Sequence, residues 1–250
     1  MIASLPMYAT PLTAAAYDRF WALIRDHLRG AGVDAPDALT TDTAETLEHW
    51  RDPALLLSQT CGLPYHAALK DYVALVGTPD FGLQDCPPGY YNSVVILREE
   101  DPATGLDDLI GAAFAYNDPL SQSGWAALAL ARPDILTGPK HCTGSHRASA
   151  AAVRSGAARF ASIDAQTWRQ LGDLGETGGL KVIHRTDPVP GLPLITTQMN
   201  LVPILQEAAR AAIAALAPED RATLRIRDLI VIPPTDYDLP IPPSPDAIDG

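Results

Sequence analysis

The 250-residue sequence predicts an α/β fold in two lobes, each a mainly parallel sheet flanked by helices. Three observations predict it. Short apolar runs of strand length alternate with stretches of helical periodicity along the chain, the order that builds parallel sheets. Two polar or proline-containing breaks, at residues 99–104 and 187–193, bracket a middle segment. The length suffices for one large domain or two lobes of ordinary size. If the flanks pair, the chain crosses between lobes twice, on two hinge strands. Residues 1–97 with 194–250 then form lobe 1, and 98–193 form lobe 2.

At the N-terminus, Ile2-Ala3-Ser4-Leu5 reads as a short buried strand ended by Pro6. Tyr17, Phe20, Trp21, Ile24 and Leu28 recur at helical spacing and predict a helix over 13–29, stopped by Gly30 and Gly32. Leu55-Leu56-Leu57-Ser58-Gln59 is a continuous apolar run, as expected of a strand buried on both faces. A short helix over 64–69 and a strand over 73–76 come next. The strongest strand signal is 91–98, with Val94-Val95-Ile96-Leu97 at its centre. The middle segment predicts a helix over 106–110, a strand over 112–116 and a helix over 122–131. A strand over 140–143 leads into a helix over 146–155, followed by strand 158–163, helix 165–171 and strand 180–184. An alanine-rich helix over 201–216 begins after Asn200. The tail, 233–250, has six prolines in 18 residues and suits an extended strap.

Composition narrows the function. Thirty acidic and eighteen basic residues give a net charge of −12, a field that repels nucleic acid and anionic membrane surfaces. Neither a nucleic-acid partner nor membrane insertion is expected, since no apolar run approaches the roughly 18 residues that cross a bilayer. The opening Met-Ile-Ala-Ser-Leu-Pro has neither the basic nor the apolar region of a secretory signal. The chain is therefore expected in the cytoplasm, unless a leader is missing from it. Cys61, Cys86 and Cys142 have no zinc or redox spacing, so no metal or cofactor is expected. They are either three reduced thiols or, in an oxidising compartment, a Cys61–Cys86 disulfide with one thiol left. No G-x-S-x-G, H-E-x-x-H or phosphate-loop motif occurs. His141 and Cys142 are adjacent, so their side chains leave opposite faces of a strand and make no catalytic pair.

Parallel sheets bind ligands just beyond the carboxyl ends of their strands. The residues just past each predicted strand therefore make up the candidate site. Tyr8 comes after the first strand and Gln59-Thr60 after the second. Strand 112–116 leads into Ser121-Gln122-Ser123-Gly124-Trp125, strand 140–143 into Gly144-Ser145-His146, and strand 158–163 into Asp164. A hydroxyl residue at a helix start caps it and leaves backbone N–H groups pointing outward. With the positive end of the helix dipole, these make an anion site that needs no Lys or Arg. His146 is a further donor or a group titrating near neutral pH, and Asp164 is an acceptor for a ligand ammonium or hydroxyl. The bland alternative for Ser121, Ser145 and Asp164 is ordinary capping, and for His146 a surface position.

At these residues the sequence resembles the phosphate/phosphonate-binding family of ABC-transporter substrate-binding proteins, over roughly residues 1–200. The likeness lies in the serine-rich helix start 121–124, the Gly-Ser-His start 144–146, the strand-end Asp164, Tyr91-Asn92-Ser93-Val94-Val95 leading into the hinge, and Gly62-Leu63-Pro64-Tyr65. It implies a type II periplasmic-binding-protein fold, a periplasmic site of action, an ABC permease as partner and a monomer. By the same likeness Ser121, Gln122, Ser123 and His146 hold a small oxyanion. Tyr8, Gln59, Thr60 and Tyr91 close over it from lobe 1, and Asp164 reads an amine or hydroxyl. Gln122 stands where the family has a small hydroxyl residue, and Trp125 comes soon after, so the pocket is reshaped and the ligand need not be a phosphonate. The alternatives are a cytoplasmic enzyme on the same fold, similar to chorismate dehydratases, and a ligand-sensing module.

Overall fold

The computed structural model describes residues 1–41 and 47–248. Its strands are, in chain order, β1 (Ile2–Ala3), β2 (Leu55–Gln59), β3 (Ala74–Asp80), β4 (Tyr90–Tyr91), β5 (Ser93–Arg98) and β6 (Phe114–Tyr116). Then come β7 (Lys140–Cys142), β8 (Phe160–Asp164), β9 (Leu180–Arg185), β10 (Val189–Pro190), β11 (Leu194–Thr196) and β12 (Asp228–Ile230). They form two five-stranded sheets, ordered β1-β2-β11-β3-β12 and β7-β6-β8-β5-β9, with β4 and β10 paired as a two-stranded ladder. The chain divides into unit 1 (Met1–Tyr90 with Pro190–Leu239) and unit 2 (Tyr91–Val189 with the tail from Pro240).

These boundaries differ from the sequence reading in three places, and one is the return to unit 1, which falls at Pro190 and not at 194. The passage out of unit 1 lies at Tyr90/Tyr91 and not after residue 97, because β5 is an interior strand of the second sheet, hydrogen-bonded to both β8 and β9. The polar stretch 99–104, read as a break bracketing the middle segment, lies inside unit 2. Asp101 accepts both Arg159 Nε and Nη2 at 2.9 and 3.0 Å, and Ala103 is buried in the core. That bidentate pair holds the Asp101 carboxyl down at about 2. The tail also parts from the reading that assigned all of 233–250 to lobe 1. Tyr237 is buried in unit 1, whereas residues from Pro240 onward belong to unit 2. The last two residues of the predicted strap lie outside the described residues.

Both sheets are mixed, which corrects the expectation of mainly parallel pairing. In unit 2, β6 runs parallel to β7 and β8, but β5 is antiparallel to β8 and β9. In unit 1, β1 and β2 are parallel, whereas β11 opposes β2 and β3, and β12 opposes β3. An antiparallel neighbour needs no crossover helix, so strands as short as β11 and β12 can be added where the chain returns to a sheet already formed.

Periodicity located the helices well. Ala14–Gly30 buries Tyr17, Phe20, Trp21, Ile24 and Leu28 on one face. The predicted helix over 64–69 is a short turn, Gly62–Pro64, continued by the π-helix Tyr65–Leu69. Pairing extends β3 to Asp80, four residues past the predicted strand end, because β12 hydrogen-bonds to its second half. The unit 1 core gathers Trp50, Leu55, Tyr65, Leu69, Ile195 and Tyr237, whose hydroxyl bonds Thr78 Oγ1 at 2.6 Å and donates to Gly191 O at 3.0 Å. The unit 2 core gathers Val95, Leu97, Phe114, Trp125, Phe160 and Ile248. None of the three cysteines is in a disulfide. Among the described residues, no single helix is long and apolar enough to cross a membrane.

Candidate functional site

In unit 2 the neighbouring strands β7, β6 and β8 point the same way, so their carboxyl ends share one sheet edge. Each leads into a helix with a side-chain cap. After β6, Ser121 Oγ accepts the Gly124 N–H at 2.9 Å and starts the π-helix Gln122–Ala126, which runs on as the α-helix Ala127–Ala131. After β7, Ser145 Oγ accepts the Ala148 N–H at 3.1 Å and starts His146–Ser155. At the end of β8, Asp164 Oδ1 accepts the Gln166 and Thr167 N–H groups at 2.7 and 2.9 Å and starts Ala165–Asp173. Three helix N-termini, each a concentration of positive dipole, thus lie along one edge.

The first two arms are joined. Ser123 Oγ and His146 Nε2 are hydrogen-bonded at 2.9 Å, and Ser162 Oγ, on β8, donates to the Ser123 carbonyl at 2.6 Å. The loop before the first arm is held as well: Gly144 N–H donates to Asn117 O and Thr143 N–H to Tyr116 O. Gly144 takes a left-handed conformation, φ +84°, where a side chain would be strained. Gly124 matters for a different reason. A Cβ there would lie 1.8 Å from Asn117 Oδ1, so any other residue would displace the asparagine side chain from the helix start.

This edge carries polar atoms without protein partners. Gln122 is 2 % exposed, and its Oε1 makes no hydrogen bond; neither does Asn117 Oδ1 or His146 Nδ1. Buried polar atoms of this kind are costly unless something else satisfies them. His146 keeps a partly exposed edge, yet burial pushes its pKa down to about 4, opposed by the backbone of Ser162. The ring is therefore neutral at pH 7, a correction to the expectation that it titrates near neutrality. Trp125, next along this helix start, faces inward. Its ring lies in the unit 2 core, 0 % exposed and 5.2 Å from that of Tyr116. His141 and Cys142 are consecutive on β7, opposite Ala115 and Tyr116.

Tyr91, expected in lobe 1, belongs to unit 2 and is buried at the end of β4. In unit 1, Gln59 and Thr60 occur where the chain leaves β2. Gln59 Nε2 donates to Leu192 O at 3.0 Å, and the Thr60 N–H donates to Pro193 O at 3.2 Å. Thr60 is fully buried, and its Oγ1 has no hydrogen-bond partner. Tyr8, beyond β1, is 3 % exposed with its ring edge-on to Phe81 at 5.0 Å. A partly buried chain missed by sequence reasoning supports this edge: Ser4 Oγ bonds His49 Nε2 at 2.7 Å and the buried Ser58 Oγ at 2.9 Å. Nothing in the local sequence signals it, because the partners are 45 and 54 residues apart. Asn117, the first residue past the strand, falls within the stretch the sequence singles out but has no assigned role there, although its place was a usable signal. Among the described residues no cluster suited to a metal ion occurs.

Comparison with known proteins bears on the fold. PhnD1 from Prochlorococcus marinus, in complex with methylphosphonate, superposes with a TM-score of 0.67 at 15 % identity, covering 94 % of each chain. A binding-protein component of an ABC phosphonate transporter from Pseudomonas aeruginosa gives 0.66 at 17 % identity, over 92 % of this chain and 80 % of that one. The Xanthomonas citri protein XAC2383, bound to ATP, gives 0.67 at 16 % identity, over 99 % and 94 %. These likenesses establish the fold: the mixed α/β, type II architecture of periplasmic binding proteins. The profile of the phosphonate periplasmic substrate-binding proteins of ABC transporters matches residues 2–238, and the chain belongs to that family.

Proposed function

We propose that this protein is a solute-binding component that captures a small phosphonate- or phosphate-like oxyanion and passes it to an ABC permease. The observation that carries the reading is the joined pair of capped helix starts in unit 2, with Ser123 and His146 hydrogen-bonded at 2.9 Å and Gln122 Oε1 and His146 Nδ1 unpartnered beside them. An acidic protein with a net charge of −12 needs local donors to hold an anion, and helix N-termini supply them without a cation. Ser121, Gln122, Ser123, Ser145 and His146 hold the oxyanion in this proposal. Tyr8, Gln59, Thr60 and Tyr91 contribute as further ligand-binding residues, and the carboxylate of Asp164 favours a ligand that also carries an amine or hydroxyl. Two similar structures hold ligands with tetrahedral phosphorus oxyanions, methylphosphonate in one and ATP in the other, which supports the class without selecting a member.

The test is a thermal-shift screen against phosphate, phosphite, alkyl- and aminoalkylphosphonates, ATP, sulfonates and small carboxylates. Ligand at about 1,000 times its dissociation constant adds about 4 kcal/mol of stability. For a chain of this length that is a rise on the order of 10 °C. A rise confined to phosphorus oxyanions supports the proposal, and a larger one for aminoalkylphosphonates supports the role of Asp164. Shifts with carboxylates alone, or turnover of any compound in the panel, would overturn it.

A further inference from the structure

We propose that the C-terminal tail is a strap that positions both anion-binding helix starts of unit 2 through the hydrogen bond from Trp125 to Pro243 and that from Lys140 to Ile248. This inference rests on the reading of those helix starts as the ligand site. The tail leaves unit 1 at Leu239, two residues after the buried Tyr237, and continues in unit 2 from Pro240. There its Pro243 carbonyl accepts the Trp125 indole N–H at 2.9 Å, and its Ile248 carbonyl accepts Lys140 Nζ at 2.5 Å. Ile248 also enters the unit 2 core with Trp125, Phe114 and Tyr116.

The two attachment points are the informative part. Trp125 lies in the π-helix that begins with Gln122 and Ser123, one residue beyond Gly124. Lys140 begins β7, the strand whose far end delivers Ser145 and His146. One short segment therefore grips both arms that the Ser123–His146 hydrogen bond joins. Pro243 and Ile248 flank the 3-10 turn Pro245–Ala247, whose Ala247 N–H donates to Ser244 O, and their own carbonyls accept from Trp125 and Lys140. The Trp125 ring is fully buried, so its N–H depends on the tail for a partner, and losing it leaves a buried donor unsatisfied. A shifted indole carries the adjoining peptide groups of Gly124 and Ser123 with it. Trp125, Pro243 and Ile248 are accordingly positioning residues, acting through the helix starts and not on the ligand.

The experiment compares full-length Trp125→Phe and Ile248→Ala with the core variant Ile135→Val, a generic unit 2 destabilisation. Amide hydrogen exchange is measured without ligand, and affinity for phosphate, methylphosphonate and ATP by calorimetry at a temperature where every variant is folded. The expected result is exchange accelerated at least tenfold in 121–128 and 145–150 for both strap variants, with affinity lowered about tenfold and Ile135→Val near wild type in both. Strap variants that exchange or bind like Ile135→Val overturn the proposal, as does local acceleration with unchanged affinity. If wild type binds none of the three probes, the functional reading is what fails. The exchange data then still decide whether the tail orders the two arms: acceleration confined to them supports the strap, and a uniform change overturns it.

Discussion

The sheet edges of the two units present their candidate residues in different ways. In unit 2, Ser121, Ser145 and Asp164 each cap a helix, and the polar atoms around the first two, on Gln122, Asn117 and His146, lack protein partners. In unit 1, Gln59 is bound to the Leu192 carbonyl, Tyr8 is packed against Phe81, and of these three candidates only Thr60 has an unpartnered atom, its Oγ1. One edge has its dipoles and unpaired groups gathered at helix starts. The other is built mostly of side chains already committed to its own frame. The difference teaches that a ligand-binding assignment has more physical support where a buried polar group is still unsatisfied than where a side chain merely occurs at a strand end.

The largest effect expected from breaking that contrast is at Gly124. Gly124→Ala places a Cβ 1.8 Å from Asn117 Oδ1 and 3.1 Å from Ser121 Oγ. Overpacking of this kind costs about 1–3 kcal/mol. Denaturant unfolding should show that loss, and calorimetry should show ligand affinity reduced more than tenfold, because the cap itself must move. Unaltered affinity would dissociate the helix start from binding.

Ser121→Ala and His146→Ala come next. The first removes an N-cap, at a cost of about 1 kcal/mol, and the second removes a ring that is neutral and mostly buried. Both should weaken oxyanion binding about tenfold, or about 1.4 kcal/mol, while leaving the protein folded by circular dichroism. Gln59→Ala should lower affinity less than either, since its Nε2 already serves Leu192. An equal or larger loss at Gln59 would erase the contrast between the units.

His146 also predicts a pH dependence. Its folded pKa, about 4, lies below the ordinary value of 6.5. Between those values the unfolded chain binds more protons than the folded one, so stability falls as the pH drops from 6.5 towards 4. His146→Gln should flatten that part of a melting-temperature profile. A bound oxyanion acts in the opposite direction by raising the ring's pKa, so affinity should increase on going from pH 7 to pH 5 in wild type and not in His146→Gln.

The smallest effect tests unit 1. Thr60→Val replaces an unpartnered buried hydroxyl with a methyl of similar shape, so the ligand-free protein should gain up to about 1 kcal/mol. Ligand affinity should decline at the same time. A gain in stability with no change in affinity would remove Thr60 from the proposed binding residues.

Much of this was legible in the sequence because the signals are local. Five apolar residues on one face located Ala14–Gly30, and the Val94-Val95-Ile96-Leu97 run located β5. A serine before each of two helical stretches located Ser121 and Ser145 as caps, since capping needs only residues a few positions apart. The strands β11 and β12 were not legible, because each is added antiparallel to a sheet already formed and owes its state to the distant neighbours it pairs with.

By itself, then, the sequence determined the α/β class, the positions of the capped helix starts and the family likeness, all of which depend on spacing along the chain. The tertiary structure decided what depends on partners distant in sequence. Pairing on both sides drew β5 into unit 2, and crowding made His146 neutral at pH 7. The same kind of contact turned Trp125 into the core and joined it to Pro243, 118 residues away. A side chain's neighbours set its charge and orientation, and residues this far apart become neighbours only once the chain has folded.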